Sequence, residues 1–250
     1  MNAEEKYLRD LYENISYDEK WLRIYLEDNT YIFGALTPDN NEENSLSDIV
    51  KYRVLFDTIL DTDWKIKISF DKAIKYGLTK EVQENFNPFK EASHEEKISV
   101  YFIENALYRL SILWDMLAQL YNLYYDLRIT FNRVYYKQLF TSANNTLLFG
   151  NEIKNYLEQE DNTDCEDLWQ GNHAYMTNLR NQMTHRNSPM ISSVSNYGMN
   201  IRDFPSYILK RIIEDYVAVS GYIRDILAKI EERTLEAFEG EEENNGTIDC

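Results

Sequence analysis

Apolar and polar positions recur at helical spacing over most of this chain. Between residues 95 and 127, Ser99, Ile103, Ala106, Leu110, Leu113, Leu117, Leu120, Tyr124 and Leu127 follow one another in alternating steps of four and three. That seam predicts a helix of about 30 residues, a strut of ~45–50 Å that packs against neighbouring helices. A second stripe, Leu209, Ile213, Tyr216, Ser220, Ile223, Leu227 and Ile230, predicts the last helix. Asp203 or Ser206, with Pro205, opens it. Residues 3–27 also read as helix, with Leu8, Leu11, Tyr12, Ile15, Leu22, Tyr25 and Leu26 as apolar positions.

Shorter elements lie between these. The polar stretch Asn29 to Asn44, with Gly34 and Pro38, reads as a break. A helix follows from a cap at Ser47 or Asp48 and carries Ile49, Val54, Leu55, Ile59 and Leu60. Trp64, Ile66, Ile68 and Phe70 alternate with polar residues at the strand period. No partner strand is legible and a lone strand is unstable, so an irregular or helical insert is expected there. Pro88 marks a boundary. One short helix or a pair is expected over Phe131–Phe140, and another from Thr146 to Glu158. A third runs from an Asp164 cap to Arg186, with Leu168, Met176, Leu179 and Met183 facing the core. Residues 187–204 read as a long polar loop, a kind that is often functional.

The fold expected is all-α: an up-and-down helical bundle over residues 95–237, a mostly helical N-terminal extension over 1–90, and an acidic disordered tail over 238–250. Composition agrees, since Gly (8) and Pro (4) are scarce and 44% of residues are hydrophobic. The net charge of −17 repels nucleic acid and anionic membranes at long range. Any nucleic-acid function therefore needs a local basic site. Cys165 and Cys250 form no CxxC motif, the N-terminus has no basic-then-apolar leader, and no apolar run spans a bilayer. A cytoplasmic protein is expected.

Candidate chemistry concentrates in Arg180-Asn181-Gln182-Met183-Thr184-His185. It combines a permanent cation with a group that titrates near neutral pH. Asn181 and His185 share a helix face, whereas Arg180 is rotated by about 140° from His185 and lies ~7.5 Å back along the axis. A second copy of the helix, related by a two-fold axis, brings such groups together. His173, Thr177, Arg180 and Thr184 form a polar line on the same helix. Between Leu168 and Ile213 the cations are Arg180, Arg186, Arg202, Lys210 and Arg211, against the single acid Asp203. Such local depletion of acid suits an anion site. An arginine and histidine near a helix C-terminus also serve the helix dipole alone. His94 reads as a surface histidine. The histidines are scattered without an HxxxH or HExxH spacing, so no metal site is expected. Glu152-Ile153-Lys154 lacks a paired acid on a strand and carries no nuclease reading.

These residues resemble the HEPN superfamily, helical-bundle domains found in many prokaryotic toxins and defence systems. Its motif is Arg, four to six residues, then His, often with a polar residue directly after the Arg. Arg180 to His185 matches the shortest form, Asn181 included, and the resemblance covers about residues 95–237. The resemblance implies a metal-independent endoribonuclease without cofactor, working as a homodimer in which both motifs line one cleft. His185 would move protons, Arg180 would hold the phosphate, and Asn181 would orient His185 or touch the phosphate. Thr184, Arg186, His173 and Asp115 are the further substrate-binding candidates. Asp115 and Glu104 are the acids of the upstream helix that family members place near the motif. RNA is the implied substrate, a growth-arresting toxin or phage-defence effector the implied role, and a protein regulator a further partner. Some toxin members carry a tyrosine after the histidine that a partner enzyme modifies; Arg186-Asn187-Ser188 stands there instead. The alternative reading is a non-catalytic HEPN-like module that binds a protein or nucleotide.

Overall fold

The structure is a computed structural model that describes residues 3–18, 45–142, 146–162, 170–185, 191–195 and 198–245. For residues 45–50, 185, 195, 198 and 234–245 it describes the backbone alone. Eight α-helices make up most of the described chain: α1 (Ala3–Glu13), α2 (Ser45–Gly77), α3 (Lys80–Asn85), α4 (His94–Tyr124), α5 (Tyr136–Phe140), α6 (Gly150–Glu158), α7 (Asn172–His185) and α8 (Pro205–Asn245). Two short antiparallel strands, β1 (Ser193–Ser195) and β2 (Gly198–Asn200), pair Val194 with Met199. The protein is therefore mainly helical. Among the described residues no helix is long and apolar enough to cross a membrane.

The central strut is α4. Its predicted seam is buried from Ser99 to Leu120, and a second row, Leu107, Trp114, Ala118 and Tyr121, is buried beside it. Two buried rows need neighbours on two sides. On one side lies α2, on another α8, while α1 packs against both α2 and α8. One continuous apolar core results, from Leu8 to Ile230, so the N-terminal helices enclose the same core as the later ones. Close approach fixes the crossing of α2 and α4. Ser99 donates to the carbonyl of Ala73 (2.9 Å), and a Cβ at Gly77 would lie 2.6 Å from the Ser99 hydroxyl oxygen.

Some elements take one of the forms expected and others differ for local reasons. Residues 64–70 continue α2: Ile66, Phe70, Ala73 and Ile74 share one buried helix face while Trp64 points outward. The strand-like alternation there was coincidental with helical spacing of the larger residues. The first helix stops at Glu13, after which Ile15 and Tyr17 are buried from non-helical backbone. Residues 19–44, with Leu22, Tyr25, Leu26 and the expected break, lie outside the described residues. The expected polar loop contains the β1–β2 hairpin. At its base the buried Arg202 bonds Glu96 (2.7 Å) and the carbonyls of Asn87 (2.8 Å), Pro88 (3.0 Å) and Lys90 (2.7 Å). The last helix begins at Pro205 as expected and its stripe is buried from Leu209 to Ile230. It then runs on to Asn245, past the start of the expected disordered tail. Glutamate is a good helix former, so propagation through that acidic stretch costs little.

Candidate functional site

The motif helix α7 begins at Asn172 rather than near Asp164; Asp164 and Leu168 lie outside the described residues. Gly171 sets this start. Its φ is +71°, its carbonyl accepts the first helical bond from Tyr175 (2.9 Å), and a Cβ there would lie 2.3 Å from the Glu160 carbonyl oxygen. A residue with a side chain cannot occupy that position without moving the strand-like turn at Asn162 and Gln170. Tyr175, Met176 and Leu179 then face the core, with Met183 packed at its edge.

The polar line on α7 passes from core to solvent. His173 is fully buried, Thr177 is buried, Arg180 is half-buried and Thr184 is exposed. His173 is therefore no substrate contact, contrary to expectation. Its Nδ1 faces Asp215 Oδ1 (3.3 Å) and its Nε2 faces the Tyr136 hydroxyl (3.0 Å) and the Thr177 hydroxyl (3.3 Å). With the Nδ1 proton donated to the carboxylate, Nε2 accepts from Tyr136. Asp215, fully buried on α8, also accepts from Trp114 Nε1 (2.9 Å) and the Tyr156 hydroxyl (3.0 Å). Three donors make a buried carboxylate tolerable. Burial pushes the Tyr136 hydroxyl up to about 12, while the nearby Arg180 charge pulls it down.

The charge of Arg180 reaches groups on two other helices. Asp115 of α4 accepts from the backbone N–H of Tyr136 at the start of α5. Burial raises its carboxyl above the usual range, and the Tyr136 bond and Arg180 oppose that rise. Lys137 of α5 has its ammonium pulled below its usual value by burial and by the Arg180 charge. Arg180 Nη2 reaches Asn181 Oδ1 (3.4 Å), and among the described residues Arg180 makes no ion pair. The Arg180 charge thus acts on one acid, one further cation and a buried hydroxyl. Asn178, Asn181 and Thr184 form the exposed ridge of α7 beside it. His185 closes the helix; its side chain, and all of Arg186, lie outside the described residues.

The depletion of acid around the motif has a different meaning in three dimensions. Arg202 pairs with Glu96 (2.7 Å), Arg211 with Asp161 (2.8 Å) and Lys210 with Glu214 (3.8 Å). The acids that neutralise these cations come from outside the depleted stretch. Asp115 lies within electrostatic reach of Arg180. Glu104 instead lines a separate cavity with Lys97, Val100 and Ile191. His94 is exposed at the first turn of α4. Sequence reading missed Tyr136, Lys137 and Asp215. Asp215 carried a signal, being an acid in the apolar row Ile212, Asp215, Val219, Ile226 at helical spacing. Tyr136 and Lys137 carried none, since α5 is too short to show a period.

Comparison with protein-family models, curated proteins and solved structures finds no match to this chain.

Proposed function

We propose that this chain is a HEPN-type endoribonuclease that needs no metal, and that its motif works in pairs. The observation that supports this reading most is the corner around Arg180. A half-buried guanidinium without an ion pair among the described residues stands at the edge of an exposed polar ridge, five residues before His185, and its charge reaches Lys137. Neighbouring cations repel each other until an anion neutralises them, which suits a phosphodiester.

In this reading Arg180 holds the phosphate and stabilises the charge that develops on its oxygens. His185 moves the proton, and Asn181 orients His185 or touches the phosphate. The RNA 2′-oxygen bonds to phosphorus as the bond to the 5′-oxygen breaks. The 2′-hydroxyl proton passes to a base and the leaving 5′-oxygen gains one. The products are a 2′,3′-cyclic phosphate and a 5′-hydroxyl. Asp115 positions Arg180. Because α7 is helical through His185, the two motif side chains depart about 140° apart. That favours a cleft shared by two copies, in which one supplies Arg180 and the other His185. A toxin or phage-defence role, with a protein regulator, fits such an activity.

The test is cleavage of RNA in excess EDTA by wild type, Arg180→Ala and His185→Ala. Loss of at least about 100-fold is expected in each variant, the scale of removing a transition-state contact or a proton-transfer group. Mixing the two variants should restore part of the activity if the site is shared. A wild-type protein that cuts nothing, or variants that cut as well as wild type, would sink the reading.

One observation favours the alternative, a binding module. Phe89 (75% exposed), Ile191, Val194 (85% exposed) and Met199 gather around an open cavity of about 680 Å³ between the hairpin and α4. Contiguous exposed apolar surface marks interaction sites.

A further inference from the structure

On the flank of α7 opposite Arg180 lies a second, smaller cavity of about 270 Å³. Its walls come from α7, the end of β2, the segment that follows it, the first turn of α8 and the turn at Asp161. Two amides, Asn178 and Gln182, stand one helical turn apart on its rim, and among the described residues neither has a hydrogen-bond partner. The half-buried ring of Tyr207 forms an aromatic wall, set edge-on to Tyr175 (5.8 Å, 85°). Tyr207 is held in place by a bond from Arg211 (3.0 Å). The carboxylates of Asp161 and Asp203 complete the lining, one paired with Arg211 (2.8 Å) and one accepting from the Tyr175 hydroxyl (2.9 Å).

Cavities that take drug-sized molecules begin at about 300 Å³, so this one suits a group the size of a single ring system. An aromatic side chain beside amides without a partner among the described residues matches the way proteins hold one splayed base of single-stranded RNA. An amide offers a donor and an acceptor side by side, the pattern that reads the edge of adenine. Carboxylates accept from exocyclic amino groups and repel carbonyl oxygens. Uracil has no amino group.

We propose that this cavity is a base-recognition subsite that takes one amino-bearing nucleobase of an RNA strand in preference to uracil. Asn178 and Gln182 read the base edge, and Tyr207 supports its face. The proposal rests on the ribonuclease reading, since it places the base one helix width, about 10 Å, across α7 from the phosphate-holding Arg180. A strand that crosses the exposed ridge of Asn178, Asn181 and Thr184 would meet both.

The test is equilibrium binding of short uridine-rich RNAs that differ at one position, which holds adenosine, cytidine, uridine or an abasic unit. Full 2′-O-methylation keeps them uncut. Wild type should bind the adenosine or cytidine oligonucleotide about tenfold more tightly than the uridine one. Asn178→Ala and Gln182→Ala should pull that ranking toward the abasic baseline. Neither position is buried and both are helical, where alanine is well tolerated. Arg180→Ala should weaken all four oligonucleotides alike and keep their order. A flat ranking in wild type, or one that survives both amide substitutions, overturns the subsite. Cleavage of unmodified RNA is scored separately. Ranking without cleavage removes the ribonuclease reading and keeps the subsite; cleavage without ranking does the reverse.

Discussion

His173 is the residue whose role changed most once its surroundings were visible. On a linear polar face it resembles a ligand contact. In the fold it is sealed beneath Trp114 and joins Asp215 to the Tyr136 hydroxyl. Tyr136 in turn belongs to the helix whose first N–H meets the half-buried Asp115. His173→Ala removes one donor from a buried carboxylate and the acceptor of a buried hydroxyl. A loss of about 3 kcal/mol in stability is expected, read as a lower urea midpoint at unchanged slope. Arg180 and Lys137 make a different prediction. Each charge that meets a phosphate releases counterions, so Arg180→Ala should reduce the slope of log affinity against log salt by roughly 0.7 for single-stranded RNA. An unchanged slope would mean that Arg180 meets no phosphate.

At the scale of elements, two glycines separate backbone necessity from accident. Gly171 combines left-handed backbone with a carbonyl where its Cβ would stand. Gly171→Ala should cost about 1–3 kcal/mol and disturb the entry to α7. Gly221 lies inside α8, and a Cβ added there would meet nothing within 4 Å. Gly221→Ala should therefore stabilise by about 0.5–1 kcal/mol. Thermal unfolding of the two variants should shift in opposite directions. Arg202 anchors the hairpin in a comparable way. Its bonds to Glu96 and three loop carbonyls satisfy acceptors that water would otherwise have to reach.

The whole molecule carries 20 tyrosines, and the fold divides them. Burial raises the hydroxyls of Tyr12, Tyr17, Tyr121, Tyr175 and Tyr216 far above the usual 10.0, and that of Tyr136 to about 12. A raised folded-state value means that the folded protein holds protons the unfolded chain releases above pH 10. The stability from these groups is complete below pH 10 and is lost as pH rises through their folded values. Tyrosinate absorbance should thus rise in two stages: exposed rings near pH 10, and buried rings only with unfolding. A single smooth titration with the helical signal intact would contradict this burial.

Periodicity along the chain determined the helices of α4 and α8, their buried stripes and the mainly helical class, because a stripe at steps of three and four has one stable solution. It determined the position of Arg180 to His185 on one helix. It was silent where elements are short or where backbone alone decides: the five residues of α5, the hairpin held by Arg202, and the helix start set by Gly171. Only the tertiary structure decided which polar residues are reachable. Helix packing buried His173 against Asp215, drew acids from distant segments onto Arg202 and Arg211, and left Arg180 without an ion pair among the described residues, within electrostatic reach of Lys137 and Asp115. Spacing fixes the face of a helix on which a side chain lies, whereas burial and pairing depend on what the rest of the chain packs against that face.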